Sequence, residues 1–479
     1  MKTTKKRTAP DIMPSTSVEI ALDEHMNPTM VLEMERAFKD HYRERLLRII
    51  QAIILTKRHH YFDGLYPDMT IDLAVTKSSV RMILKGVPRE KLVGGRLIKL
   101  KEEQILCGIR DLLLSRQFPL NDMSSESITQ YIFHFVQNAH VITREDIASN
   151  PYGRIMMQGG HHIPEIESNH HKRLGFGVGL LGLELITGSG PGAMEDPMKG
   201  ALRGYQMNRH TRKFIGITED GIISGEPCND YIDHLIVFPD IEKRLEAFIR
   251  MSRAGIIVPG GPGTFEEILT VLWIKMHPRN KKFRFPLYLC QPVQSRSYFR
   301  GIVSFLEDTF DIDFEKTGLF RMFESDAENT DDRTLDPRRI APMLLDDMRE
   351  TKEYYERLSK RTGEHFFPLW DWNVHFPERL QKPLHITKDF VESLCFDRKM
   401  APDELFFSLR SLSSAIVEVN VRDREFLRKY GTFKLKGDPS ILHRVDRLFQ
   451  EFHRDGRMGM RKYLCPYRIA RPVKTGKKK

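Results

Sequence analysis

Apolar and polar positions change rhythm twice along the chain. From residue 17 to about 145 the period is mostly helical. Asn27-Pro28 opens a run through Met34, Phe38, Tyr42, Leu46, Ile49, Ile50 and Ile53, the i, i+3, i+4 recurrence of an amphipathic helix. Two further helices are predicted over about 101–114 and 127–138. Between the first and second, "VRMILKGVPREKLVGGRLIKL" is basic and turn-rich. From Arg154 to about Met348 short apolar runs alternate with helical ones. The strands predicted are 154–158, 183–187, 213–218, 234–238, 255–259 and 285–290. That alternation is the mark of an α/β protein, a parallel sheet with helices on both faces. A polar loop at 325–339 leads into a helix at about 339–358. From about Thr362 the chain is aromatic and broken by proline. Helices then start at Pro402 and at Asp438-Pro439. The expected division is a basic arm (1–16), a helical N-terminal domain (17–145), the α/β domain (146–358), a mostly helical C-terminal domain (359–467) and a basic tail (468–479). There is no internal repeat.

Four features fall where predicted strands end. "GGHHIPEIE" (Gly159–Glu167), "GSGPGAMEDPMKGA" (Gly188–Ala201), "PDIEKRLEAF" (Pro239–Phe248) and "PGGPGTFEE" (Pro259–Glu267) each follow a strand. In open α/β sheets, ligands bind in the crevice at the carboxyl ends of strands. Glycine also serves turns and close packing with no ligand. Thr264-x-x-Glu267 has the spacing of a capping box, which by itself gives Glu267 a structural role. Two glycine-dense turns at helix starts on one edge point further, to phosphate. Bare backbone amides can approach an anion there, and a helix N-terminus adds favourable partial charge.

The type of phosphate compound can be narrowed. No Lys-Ser/Thr follows the glycines, so this is not a P-loop. Gly188-x-Gly190-x-Gly192 is not the dinucleotide fingerprint, and no acidic ribose anchor closes the next strand. A mononucleotide or sugar phosphate fits better. A carboxylate beside a phosphate clamp is repelled unless it has work to do. Cleaving a ribosyl–base bond builds positive charge on the sugar, which a carboxylate stabilises while orienting water. Arg244 can contact phosphate or leaving base; its alternative is a surface ion pair with Asp240. His161, His162, His170 and His171 lack zincin spacing, and Pro164 interrupts any helix aligning His161 with Glu165. They are expected on loop and helix surfaces, with His161 near a ligand, and no metal site is expected.

Composition changes the picture little. In 479 residues, 40% hydrophobic and 29% charged content is ordinary for a soluble globular chain. No apolar run is long enough to span a bilayer, and no membrane partner is expected. The net charge of +10 is carried by the ends: four cations in 1–10 and six in 468–479, with no acid in either, leave 11–467 net neutral. Nucleic acid is therefore not an expected partner, although RNA binding through the tails would show as steep salt dependence. Five scattered cysteines without a CxxC fit a reducing cytoplasm.

These motifs resemble those of the LOG (Lonely Guy) phosphoribohydrolases. "PGGPGTFEE" is similar to their PGGxGTxxE signature, and "GSGPGAMEDPMKGA" to their second glycine motif. "FPDIEKRLEAF" and "YGTFKLKGD" (Tyr430–Asp438) bring the resemblance to one bacterial branch, the pyrimidine/purine nucleotide 5'-monophosphate nucleosidases. It covers roughly 90–467 and is strong at 154–290. The resemblance implies a Rossmann-like core that hydrolyses nucleoside 5'-monophosphates to base and ribose 5-phosphate without metal or organic cofactor. It implies Glu267 as catalytic carboxylate with Arg244, phosphate held by Gly260, Gly261, Gly263 and Thr264, and a nucleotide pocket including Gly190, Gly192 and Met194. Gly159, Gly160 and His161, on the neighbouring turn, join that pocket by position. Ser189 stands where the family usually carries glycine. The branch also implies homo-oligomers and a guanosine alarmone effector, for which Arg81, Lys85 and Arg89 are the basic candidates. The alternative is a non-catalytic nucleotide sensor or carrier on the same core.

Overall fold

The computed structural model describes residues 16–22, 28–38, 42–54, 68–76, 80–223, 228–326, 336–363, 365–422, 425–458, 460 and 462–469. Residues 1–15 of the expected N-terminal arm and 470–479 of the expected tail lie outside them.

Three sheets are present among the described residues. The first is antiparallel, with β1 (Thr16–Ala21), β2 (Thr70–Val75) and β3 (Val80–Val87) in the order β1-β3-β2. The second holds seven parallel strands: β4 (Ile155–Gln158), β5 (Leu185–Thr187), β6 (Ile215–Glu219), β7 (His234–Phe238), β8 (Ala254–Ile257), β9 (Leu287–Pro292) and β10 (Arg321–Ser325). The third is a small parallel sheet of β11 (Cys395–Phe396), β12 (Phe433–Gly437) and β13 (Tyr467–Ile469).

The order of the central sheet, β10-β9-β8-β4-β5-β6-β7, decides where a ligand can sit. From β4 the chain winds outward through β5, β6 and β7, then returns to β8 on the other side of β4. The loops after β4 and β8 therefore diverge to opposite sides, and a crevice opens between them at the switch point. The strands are buried on both faces, which is why they appear in the sequence as continuous apolar runs without alternation.

The edge strand β7 is closed by side chains. Asp111, on the helix Lys99–Gln117, accepts from the Val237 amide at 2.8 Å, and the adjoining Arg110 donates to the Leu235 carbonyl at 2.8 Å. The acid and cation pair with each other at 2.7 Å, so together they imitate a neighbouring strand and block edge pairing.

Several sequence expectations are amended by the structure. The N-terminal region carries the sheet β1–β3 besides its helices, and "VRMILKGV" is a strand, not a turn-rich linker. Its alternation was masked because Ile83 lies on the same face as Arg81 and Lys85. The long first helix is two, Pro28–Ala37 and Tyr42–Ile54. The C-terminal region, expected to be mostly helical, adds β11–β13, and β13 carries the chain to Ile469, past the expected start of the tail. The edge strand β10 was not foreseen either, because "RMFES" is too polar to stand out.

Candidate active site

The four predicted turns meet at the carboxyl edge. The Gly160 amide donates to the Pro259 carbonyl at 3.1 Å, which ties the loop after β4 to the loop after β8 across the switch point. A Cβ on Gly160 would stand 2.7 Å from the Gly260 Cα, and one on Gly260 would stand 2.5 Å from the Gly160 nitrogen. The backbones approach this closely only because both residues lack side chains. Gly159 packs on Val258 and Ala193. Ala193 in turn donates to the Gly160 carbonyl at 2.9 Å, and Gly192 turns with φ +69° against the His161 carbonyl. The second glycine loop is thus stitched to the first.

Ser189 adopts φ +66°, a left-handed conformation that disfavours any side chain. One residue holds it there. Asn229 donates from its side chain to the Ser189 and Gly190 carbonyls, both at 2.9 Å, and from its backbone to Ser189 at 2.9 Å. This is the physical content of the departure from the family glycine.

The helix Pro262–Met276 begins with Gly261 as its N-cap, which offers no side-chain oxygen to its first amides. The start of this helix follows β8 and so lies at the carboxyl edge, where its first amides and dipole favour an anion. The capping box foreseen for Thr264 and Glu267 is therefore not formed: the helix starts two residues before Thr264, and both residues lie inside it. Thr264 is buried against Gly260, where a Cβ would meet its Oγ1 at 2.1 Å. A Cβ on Gly263 would meet no atom within 4 Å, so that glycine borders open space. Glu267 is half-buried one turn further along, close enough to act electrostatically on Tyr298 beside Gly260. Its neighbour Glu266 turns the other way and accepts from Ser414 Oγ at 2.6 Å in the C-terminal region.

Arg244 lies on the helix Ile241–Met251 and is buried, not a surface partner of Asp240. The Asp240 carboxylate instead caps that helix through the Lys243 amide at 3.1 Å and pairs with the Lys243 ammonium at 2.9 Å. The Arg244 guanidinium donates from Nε to the Ile217 carbonyl at 3.1 Å and stacks 5.4 Å from the Phe248 centroid. It passes so near Gly188 that a Cβ there would stand 2.5 Å from its Nη2 and 2.6 Å from the Met194 sulfur. Gly188, which opens the second glycine motif without a role of its own, thus leaves the space that Arg244 and Met194 occupy.

His161 and His162 sit in the loop, edge to face at 4.3 Å. His170 and His171 depart from expectation: both are fully buried on the helix Glu165–Leu180. Burial holds the His170 imidazole well below its ordinary pKa and lowers His171 to about 3, with the Arg457 cation contributing. Neither is charged at neutral pH. Among the described residues no group of three or more His, Cys, Asp or Glu gathers to hold a metal.

Arg457 and Tyr298 also reach this edge and carried no local signal, and Glu167, at the end of the first of the four motifs, was given no role of its own. Arg457 pairs with Glu167 through two nitrogens at 2.6 and 3.1 Å, and its backbone oxygen faces Gly261. Arg81, Lys85 and Arg89 are not part of this edge. Arg81 pairs with Glu19 at 3.0 Å and Lys85 with Asp72 at 2.7 Å on the N-terminal sheet, all exposed, and Arg89 opens a 3-10 turn.

Comparison with known proteins agrees with this geometry. Residues 194–331 match the family described as "Possible lysine decarboxylase", and residues 354–470 match "Pyrimidine/purine nucleotide monophosphate nucleosidase, C-terminal". The chain is 32% identical over 432 residues to the pyrimidine/purine nucleotide 5'-monophosphate nucleosidase of Escherichia coli strain K12, covering 87% of this chain and 89% of that protein. The figures are the same for its counterpart in Escherichia coli O157:H7. Among solved structures, the molybdenum cofactor binding protein from Rippkaea orientalis is similar at 19% identity, covering 40% of this chain and 96% of its own, with a TM-score of 0.28. The molybdenum cofactor carrier protein from Chlamydomonas reinhardtii is similar at 20% identity, covering 40% and 99%, with a TM-score of 0.26.

Proposed function

Since the chain belongs to the pyrimidine/purine nucleotide 5'-monophosphate nucleosidase family, we propose that it hydrolyses the N-glycosidic bond of purine and pyrimidine nucleoside 5'-monophosphates, releasing free base and ribose 5-phosphate. The observation that carries this reading is the position of Glu267. It lies, half-buried, on the helix whose glycine-built start borders the switch-point crevice. In this reading the amides around Gly260, Gly261, Gly263 and Thr264 anchor the 5'-phosphate. Gly159, Gly160, His161, Gly190, Gly192 and Met194 border the nucleoside. Binding energy from the phosphate orients the ribose C1' toward water. As the bond to the base breaks, the Glu267 carboxylate stabilises the positive charge growing on the ribose and accepts a proton from the attacking water. Arg244, a permanent cation, contacts phosphate or the departing base.

The test is incubation of the purified chain with AMP, GMP, UMP and CMP, with assay for free base. Base release from none of them at saturating nucleotide refutes the reading. Glu267→Gln is expected to lower kcat at least a hundredfold while nucleotide still binds and the thermal midpoint holds. Retained turnover in that variant would assign the carboxylate a structural role. A wild-type chain that binds nucleotide without cleaving it would support the sensor or carrier alternative.

The proposal extends to organisation. We take 146–358 as the catalytic domain, 17–145 as regulatory and 359–467 as the C-terminal domain. The chain is proposed to be a cytoplasmic homo-oligomer, in keeping with cysteines that are all free thiols. Arg81, Lys85 and Arg89 are proposed to meet a guanosine alarmone, a task for which they must first release Glu19 and Asp72. Light scattering that finds only monomer, or a rate unmoved by guanosine tetraphosphate, would remove the corresponding part.

A further inference from the structure

Tyr298 lies in the first turn of the helix Ser297–Phe310, which follows β9. β9 neighbours β8, so this helix start shares the carboxyl edge with the phosphate loop. The Tyr298 ring is enclosed by Phe299 at 4.9 Å and Phe452 at 5.8 Å between centroids, and the Arg457 guanidinium lies 4.8 Å from its centre. The residue is only 8% exposed. Its phenolic oxygen is buried and completes no well-formed hydrogen bond among the described residues, although the Gly260 backbone approaches closely enough to favour its ionised form. The groups that act on that oxygen are Arg457, Glu167, Glu267 and the Gly260 backbone. The hydroxyl therefore lies within reach of both the loop proposed to hold phosphate and the field of the carboxylate proposed to do chemistry.

A buried hydroxyl without a well-formed hydrogen bond is destabilising, and phenylalanine would fill the same space without that cost. An under-satisfied polar group at the mouth of an anion-binding helix start has a use when a ligand arrives. We infer that Tyr298 is a substrate-binding residue whose hydroxyl donates a hydrogen bond to the ribose 5-phosphate half of the nucleotide. The inference rests on the nucleosidase reading. Adjacency to Gly260 selects the phosphate end over the base. Burial raises the phenol's pKa above its ordinary value, so at neutral pH the group keeps its proton and is a donor, as an anionic partner requires.

The C-terminal region takes part in this arrangement. Phe452 covers one side of the ring, and Arg457 covers its face while paired to Glu167. Residues from the two family segments therefore frame a single hydroxyl.

The test is Tyr298→Phe in the full chain, read first by calorimetric binding of ribose 5-phosphate. A hydrogen bond to a charged group corresponds to roughly a tenfold or greater loss of affinity when removed. The expected result is that loss, a matching rise in KM for AMP, and a ligand-free thermal midpoint unchanged or raised. Unchanged affinity for ribose 5-phosphate in the folded variant overturns the inference. So does a lowered midpoint with affinity intact, which would make the hydroxyl structural. The binding readout needs no turnover. A wild-type chain that binds ribose 5-phosphate tenfold tighter than Tyr298→Phe, yet releases no base, would refute the nucleosidase and leave the Tyr298 contact standing. Failure of the wild type to bind ribose 5-phosphate would overturn the Tyr298 contact, while base release decides the nucleosidase separately.

Discussion

Glu267 and Glu266 are chemically identical neighbours with opposite surroundings. Glu266 is drawn into the C-terminal region by Ser414, whereas Glu267 is half-buried and acts electrostatically on the Tyr298 phenol. The helical rotation of about 100° per residue separates them, and that much could be read from sequence. The cap reading of Glu267 failed because capping depends on which residue starts the helix, and the N-cap is Gly261, three residues before Thr264, a shift that spacing alone does not decide. His171 makes a prediction at the same scale. Its folded pKa is depressed from 6.5 to about 3 by burial first, with the Arg457 and Lys172 cations adding to the shift. The unfolded chain therefore binds the proton more readily. Stability is fully present above pH 6.5 and is lost as pH falls from 6.5 toward 3. At pH 5 this one group removes about 2 kcal/mol. Denaturant midpoints at pH 7 and pH 5 should show a smaller acid loss in His171→Leu than in the wild type. Equal losses would mean that His171 is not buried as a neutral ring.

At the scale of elements, the two glycine loops do different jobs. Gly160 and Gly260 let two backbones touch, and Gly263 leaves room in front of a helix start. Gly260→Ala forces a Cβ to 2.1 Å from Thr264 Oγ1 and 2.5 Å from the Gly160 nitrogen. A loss of 1–3 kcal/mol in stability is expected, together with loss of activity. Gly263→Ala places its Cβ in open space. Its thermal midpoint should be unchanged or higher, since alanine suits a helix better than glycine, while KM for AMP rises as the methyl meets the phosphate. Thermal melts and steady-state kinetics on the pair check this, and a Gly263→Ala enzyme with unaltered KM would move the phosphate elsewhere. The sequence made the buried strands β4–β9 legible, because burial on both faces writes a continuous apolar run. It hid β1–β3 and β10–β13, which are short, peripheral or only partly covered. There the apolar pattern is set by whichever segment covers a face, and that segment is distant in the chain.

Across the whole molecule, the region after residue 359 is not an appendage. Phe449 and Phe452 pack on Phe265, and Phe406 stacks parallel to Trp273, so the site's helix is buried against the C-terminal region. Arg410 pairs with Glu242 at 2.8 Å and Arg253 with Asp371 at 2.6 Å, all four buried. Breaking one partner of such a pair strands a charge, so these contacts register the C-terminal region on the core. The two segments matched as separate families, 194–331 and 354–470, thereby share one apolar core.

Some of this protein was determined locally. A parallel α/β core, glycine turns after its strands, and a carboxylate one turn beyond the densest glycine loop follow from residues close in sequence, where backbone sterics and helical period act directly. The order of the strands was not local. That order puts β8 beside β4, opens the crevice between them, and brings Gly160 onto Gly260. Tyr298, Glu167 and Arg457 join that edge from positions far apart in the chain. No short-range pattern encodes their meeting, because it is the product of long-range packing: residues become neighbours only once the sheet has closed its order and the C-terminal aromatics have covered it.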